Sequence, residues 1–399
     1  MGYDFTLDDV AFLRSAEGRD ALATLDALPL RPATRLADVA SARRVAGRRH
    51  AAAVLETVLL RMAGKAKVDS AASWLFTDAA LQQATAMPVA RHRAARFAGR
   101  DAHDVTCSIG TELVALSGVA RRVVGSDVDD VRLAMARHNS GASAGVGVEA
   151  PLVVRADALR PVTRDAAVLV DPGRRDATGR RRWRPEDFTP PLHDVARTYL
   201  GRDFVVKCAP GIAAEDVPWA REVEIVSLDG RVREASLWAG GLATAGVRRR
   251  ATVLRSDSPQ WTITDADGDD CPVRAAGEWI VDPDGAVVRA GLVRHYAARH
   301  GLGQLDPRIA YLTGDVPPPG VRAFRVVAQG KYREKELRRE LRRHEVGRLE
   351  ILVRGVDVDP DALRLRLKPS GPAAATVVLT RIGATPVAFL CRPERTSTE

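Results

Sequence analysis

Along the first hundred residues, apolar positions recur every three or four places. RDALATLDAL and HAAAVLETVLLRMAG are the clearest cases, and runs of β-formers are absent, so residues 6 to 98 are predicted to be helical. Thr6, with Asp8 or Asp9 behind it, is a helix-start signal, and Thr77 in FTDAALQQAT is another. From residue 101 the pattern changes to short apolar runs: DVTCSIG, RVVGSDVD, PLVVRAD, AAVLVDP, DFVVKCAP, EVEIVSLDG and REASLWAG. The first five alternate with helical or long connecting stretches, which predicts parallel strands with crossovers. The last two flank the tight turn Leu228-Asp229-Gly230-Arg231, an antiparallel hairpin signal. The expected fold class is therefore α/β, a doubly wound, seven-stranded, mostly parallel Rossmann-like sheet between an N-terminal helical domain and a small C-terminal α+β domain.

The rest of the chain is mixed. ATVLR and PQWTITDA look like strands, DGAVVRAGLVRHYAARHGL like one helix, and VPPPG at 316–320 like a linker. Beyond it, FRVVAQG, YREKELRRELRRHE, RLEILVRG, DPDALRLRLK and ATVVLTRIGATPVAFLCR predict a βαβ-like tail closed by a hairpin. The expected layout is a helical domain over 1–98, a sheet domain over 99–245, a connecting segment over 246–320 and a C-terminal domain over 321–399.

Composition alters this picture in three ways. The 399 residues carry a net charge of +9 and a sequence pI near 9.8, which favours a polyanionic partner. Only six of the 60 basic residues are lysine, however, so arginine is abundant everywhere and local clustering carries more weight than the total. The four cysteines (Cys107, Cys208, Cys271 and Cys391) form no C-x-x-C pair, so neither a structural zinc nor a disulfide framework is expected, and no metal site is assigned. No apolar run has transmembrane length, and the acidic start MGYDFTLDDVAFL lacks the basic segment of a signal peptide. A cytoplasmic protein with no membrane contact is the expectation.

In an open α/β sheet the ligand lies beyond the carboxyl ends of the strands. Read in turn, those ends present Gly110 in the turn Cys107-Ser108-Ile109-Gly110-Thr111-Glu112, then Asp127, Asp157 and Asp171. Gly110 permits close approach of a ligand to the backbone, and Asp127, 17 residues further on, is placed to accept from both hydroxyls of a ribose. A nicotinamide dinucleotide would require G-x-G-x-x-G for its pyrophosphate; one glycine with Glu112 beside it suits a nucleoside ligand without phosphates.

D-V-T-C-S-I-G-T-E-L, V-G-S-D-V-D-D-V-R-L-A-M-A-R-H-N, R-A-D-A and V-L-V-D-P, in that order, resemble the class I S-adenosylmethionine-dependent methyltransferases over most of residues 101–210. With PVARHRAARFAG, DPGRR, KCAPGI, PDGAVVRAGL and VRGVDVDPDALRLRLK, the likeness extends over roughly 75–395 to a methyltransferase family carrying a C-terminal THUMP-like domain. The resemblance implies S-adenosyl-L-methionine as cofactor. Asp104 and the turn Cys107, Ser108, Gly110 and Thr111 would border its methionine portion, Asp127 its ribose, and Val128, Asp157 and Ala158 its adenine. Asp171, Pro172 and Arg174 would face the transferred methyl group. A THUMP-like tail implies structured RNA, tRNA or rRNA, as partner.

The acceptor corner reads Asp171-Pro172-Gly173-Arg174, without the second proline and aromatic residue of amine methyltransferases that stack a flipped base. Uracil-C5 methyltransferases place a nucleophilic cysteine where Cys208 stands, although a cysteine on a buried strand is more often a small hydrophobe. Arg174 and Arg175 follow a buried strand and are expected at the pocket rim. Arg180 to Arg184, with Arg182 beside the stacking face of Trp183, form a candidate RNA-facing loop. Lys331, Arg333, Lys335, Arg338, Arg339, Arg342 and Arg343 make a second basic cluster with glutamates interleaved. The alternatives are a methyltransferase fold that binds RNA without transferring methyl groups, and a small-molecule methyltransferase whose arginines hold an acidic substrate.

Overall fold

The structure, a computed structural model, describes residues 2–143, 149–174, 184–212, 214–319 and 321–395. It divides into two compact units, residues 1–223 with 234–245, and residues 224–233 with 246–399.

The first unit begins with helices α1 (Leu7–Arg14), α2 (Ala16–Asp26), α3 (Arg35–Gly64), α4 (Asp78–Gln83) and α5 (Met87–Ala94). The expected caps are in place. Thr6 accepts from the Asp9 amide while Asp9 reaches back to the Thr6 amide, and Thr77 accepts from the Ala80 amide. There follow β1 (Asp101–Asp104), α6 (Thr111–Ser117), β2 (Arg122–Asp127), α7 (Asp130–Ser143), β3 (Leu152–Arg155), β4 (Ala167–Val170), α8 (Leu192–Tyr199), β5 (Phe204–Cys208), β6 (Glu222–Leu228) and β7 (Arg231–Ala239). β1 pairs in parallel with β2 and β4, β2 with β3, and β4 with β5, whereas β7 runs antiparallel to β5. The order is β3-β2-β1-β4-β5-β7-β6, so the chain reverses direction across the sheet at β1 and β4. Asp229 and Gly230, both with positive φ, make the hairpin turn between β6 and β7. One apolar core joins helices and sheet: Leu25, Val54, Trp74, Phe76 and Phe97 are buried with Leu113, Leu169 and Trp238.

The sheet departs from the seven strands expected. Among the described residues it has nine, because β8 (Arg249–Leu254) and β9 (Trp261–Thr264) continue it beyond β6. These are the ATVLR and PQWTITDA pieces. Paired antiparallel to one another, they satisfy the backbone of the hairpin tip that belongs to their own unit, where the Asp229 amide donates to the Leu254 carbonyl.

The second unit continues with β10 (Trp279–Val281), α9 (Gly285–Arg289), α10 (Val293–Arg299), β11 (Gly303–Gln304) and β12 (Leu312–Gly314). The expected single helix is two, interrupted at Gly291, whose φ of 69° ends α9. Then come β13 (Arg322–Lys331), α11 (Glu334–Arg343), β14 (Val346–Val353), α12 (Pro360–Leu367), β15 (Ala373–Ile382) and β16 (Thr385–Arg395). β14, α12 and β15 form a parallel βαβ unit, and β15 and β16 the closing hairpin. All seven strands from β10 to β16 lie in one sheet, ordered β11-β12-β10-β13-β16-β15-β14.

Candidate active site

A cavity of about 700 Å3 opens at the carboxyl ends of β1 to β4 in the first unit. That is ample for a nucleoside-sized ligand. Its walls bring together Asp104, Cys107, Ser108, Thr111, Asp127, Val128, Asp157, Ala158 and Asp171, residues that span nearly seventy positions of sequence. Gly110 lies just behind this wall, at the start of α6. Its φ is 91°, and a Cβ there would stand 3.3 Å from the Ala136 Cα, so only glycine suits both the backbone and the packing.

Each acid is held by its own local bonds. Asp127 Oδ2 accepts from the Ser108 amide and Oδ1 from the Asp129 amide, both at 3.0 Å. An ionised carboxylate has about four acceptor sites, so both oxygens keep capacity for the two hydroxyls of a ribose. Val128, 61% exposed, offers an apolar face beside it. Asp157 is exposed and accepts from the Leu159 amide, while the Ala158 carbonyl accepts from the buried Tyr199 hydroxyl. Asp104 is fully buried and accepts from the Thr106 amide; burial, then the nearby Glu112 charge, raises its carboxyl well above the usual carboxylate range. Thr106 links the two central strands, since its hydroxyl accepts from the Asp171 amide at 2.7 Å.

Asp171 is half-buried, and its Oδ2 lies 2.7 Å from Lys207 Nζ. Lys207, on β5, is buried; burial disfavours its charge, but Asp171 and then Glu234 outweigh that and raise its pKa. Gly173 lines the cavity as well, and exchanges backbone hydrogen bonds with Thr189, which with Pro190 and Pro191 forms the facing wall. Pro172 is buried and Arg174 half-buried, and neither lines the cavity. Arg175, Arg182 and Trp183 fall outside the described residues. Cys208 does not line the cavity either, and burial pushes its thiol far above the ordinary value, so it has no thiolate to offer as a nucleophile.

Three groups central to this site do not emerge from strand-end reading. Arg93 of α5, 1% exposed, donates to Glu112 at 2.6 Å and also to Glu234. Although burial opposes its charge, Glu112 and then Glu234 outweigh it and raise its pKa further. Asn139 of α7 donates to the Ile109 and Leu75 carbonyls, both at 2.9 Å, and accepts from the Leu75 amide at 2.7 Å, pinning the Gly110 turn to the N-terminal segment. Gln83, Ala84 and Thr85 complete the wall from the end of α4, where the Lys67 ammonium caps the Leu81, Gln82 and Ala84 carbonyls at 2.8–3.0 Å. One signal for Arg93 is visible in sequence: it shares the buried stripe of Ala90, Ala94 and Phe97.

A nucleoside-sized cavity at the carboxyl ends of parallel strands, with a single-glycine turn after β1 and an acid at the end of β2, is the arrangement of a class I methyltransferase. Comparison with known proteins agrees. Two proteins of Mycobacterium tuberculosis, from strains CDC 1551 and H37Rv, each named an uncharacterized S-adenosylmethionine-dependent methyltransferase, are 56% identical over 355 residues, covering 86% of this chain and 97% of theirs. A crystal structure assigned to the methyltransferases, from Porphyromonas gingivalis W83, has the same fold, with a TM-score of 0.71 at 18% identity over 98% of this chain and 100% of that one. Residues 321–393 match the THUMP domain-like family, and residues 6–64 match a domain of unknown function, DUF8688. The chain belongs to the S-adenosylmethionine-dependent methyltransferases, in a family with a C-terminal THUMP-like domain, and S-adenosylmethionine is its cofactor. Among the described residues no cluster of side chains suited to a metal ion occurs, and no helix is long and apolar enough to cross a membrane.

Proposed function

We propose that the methyl acceptor is a base in structured RNA, tRNA or rRNA, and that the enzyme works in the cytoplasm. The observation that carries this reading is the THUMP-like match over 321–393, within which α11 exposes Lys335, Arg339, Arg342 and Arg343. Arg339 and Arg343 share Glu340 at 3.6 and 3.8 Å, so part of the charge is paired on the helix and the remainder is available to phosphates. Arg174, together with Arg175, Arg182 and Trp183, would supply further cations and a stacking face.

The cofactor supplies a methyl carbon on a sulfonium, with a neutral thioether as leaving group. The protein's part is to bind, align and exclude water. Asp127 holds the ribose, Val128, Asp157 and Ala158 border the adenine, and Asp104 with the 107–111 turn borders the methionine. Asp171 receives the acceptor at the β4 corner shaped by Pro172. Its Oδ2 is engaged by Lys207, which leaves Oδ1 to accept a hydrogen bond from the acceptor and set its angle of approach.

Mass spectrometry of nucleosides from tRNA and rRNA of a deletion strain tests the reading. One methylated nucleoside should be missing and should return when the gene is restored; an unchanged nucleoside profile would sink it.

A further inference from the structure

Three polar atoms in the cavity wall have no hydrogen-bond partner among the described residues: Thr85 Oγ1, Thr111 Oγ1 and Glu112 Oε2. Their side chains belong to residues only 6%, 6% and 5% exposed. Buried polar atoms are nearly always paired, and each one left unpaired costs about 1–3 kcal/mol, more if charged. Three of them lining one cavity therefore point to a ligand group that they share.

The chemistry of that group follows from Glu112. Its Oε1 accepts from buried Arg93 at 2.6 Å. Burial opposes its charge, but Arg93 and then Lys207 hold its carboxyl below the usual range, so Oε2 is an acceptor and not a donor. The Thr85 hydroxyl faces this carboxylate closely enough to favour its charge, yet makes no bond of hydrogen-bonding geometry with it. The missing partner must bring N–H donors and tolerate, or carry, positive charge. An amino group with two or three N–H bonds matches one carboxylate oxygen flanked by two hydroxyls. A carbonyl or an anion would leave Oε2 unpaired.

We propose that Thr85, Thr111 and Glu112 form a subsite for the amino group of a bound ligand. Its place in the fold explains how a ligand reaches it. Glu112 shares Arg93 with Glu234 of β7, on the β5–β7 side of the sheet, whereas Asp127 stands at the end of β2 on the other side of β1. Two reactants can bring an amino group to that side: S-adenosylmethionine, through its amino-acid end, or an amine-bearing acceptor.

Glu112→Gln and Thr85→Val separate the sources. Calorimetry is run on the full chain with S-adenosylhomocysteine and with 5′-methylthioadenosine, which lacks the amino-acid end, and thermal melting accompanies each variant. If the cofactor fills the subsite, Glu112→Gln weakens S-adenosylhomocysteine at least tenfold and leaves methylthioadenosine unchanged, with Thr85→Val shifting the same way by a smaller factor. If the acceptor fills it, both adenosine ligands bind as to the wild type, and the KM for total RNA of the deletion strain rises at least tenfold. That second arm rests on the RNA reading. A wild type that methylates no RNA removes that reading and leaves the first arm to decide. Equal loss of both adenosine ligands, or no change in affinity and KM, overturns the subsite.

Discussion

At the residue scale, the account depends on side chains whose chemistry their surroundings determine. Asp127 has both oxygens fixed by amides and is proposed to hold the ribose. Asp127→Ala removes charge-assisted hydrogen bonds worth about 1.5–3 kcal/mol each, so calorimetry should show S-adenosylhomocysteine affinity falling by roughly tenfold to more than a hundredfold. A variant that binds as tightly as the wild type would remove Asp127 from the site. His103 gives a second test. It is buried on β1 between Thr163 and Ser126, at 2.9 and 3.0 Å, and burial, helped by the Arg202 charge, lowers its pKa from 6.5 to about 4. Between those values the unfolded chain holds a proton that the folded chain does not. Stability is therefore fully present above pH 6.5 and declines as pH falls toward 4, by roughly 3 kcal/mol from this residue. Denaturant titrations along that pH range should show this slope and should show it reduced in His103→Gln; the same slope in both would assign the effect elsewhere. The four strand-end acids were legible in the sequence because each closes an apolar run. Lys207 was legible only as a neighbour of Cys208, although it is one of just six lysines in an arginine-rich chain and stands in the buried strand FVVKC.

At the element scale, what organises the site is the way β1, β4, β5, α5 and α6 are tied together beneath it. The β1 and β4 ends are joined by Thr106, and α5, α6 and β7 by Arg93 with Glu112 and Glu234. Arg93→Met leaves two carboxylates buried without their guanidinium. Removing one partner from a buried ion pair destabilises by about 3–5 kcal/mol, so the variant's denaturation midpoint should fall accordingly. An unchanged midpoint would show that the two glutamates relax to water or to Lys207 instead. The elements themselves were mostly readable, since period-two and period-3.6 patterns mark β1 to β7 and α11 clearly. The ion network was not. Its members lie up to 141 residues apart, and nothing local distinguishes a glutamate that will meet an arginine from one that will face solvent. β8 and β9 were visible as short strands, but their addition to the first sheet depends on the open edge of β6, which no local pattern encodes.

At the scale of the whole molecule, the first unit contains the complete cofactor cavity, including a wall from the N-terminal α4, while the THUMP-like match lies within the second. The N-terminal helices are thus part of the catalytic body, sharing one core with the sheet. Sequence reading set them apart because the change of periodicity near residue 100 looks like a boundary, although Asn139 and Leu75 bind across it. The central claim is that this cavity transfers a methyl group to RNA past Asp171. The most direct measurement is transfer of label from methyl-labelled S-adenosylmethionine to total RNA of the deletion strain, by the wild type and by Asp171→Asn. The wild type should label the RNA. Asp171→Asn should label it about a hundredfold or more slowly, within the range of a positioned proton acceptor, while still binding S-adenosylhomocysteine. No label in RNA with the wild type, or equal rates for the two proteins, would contradict the account.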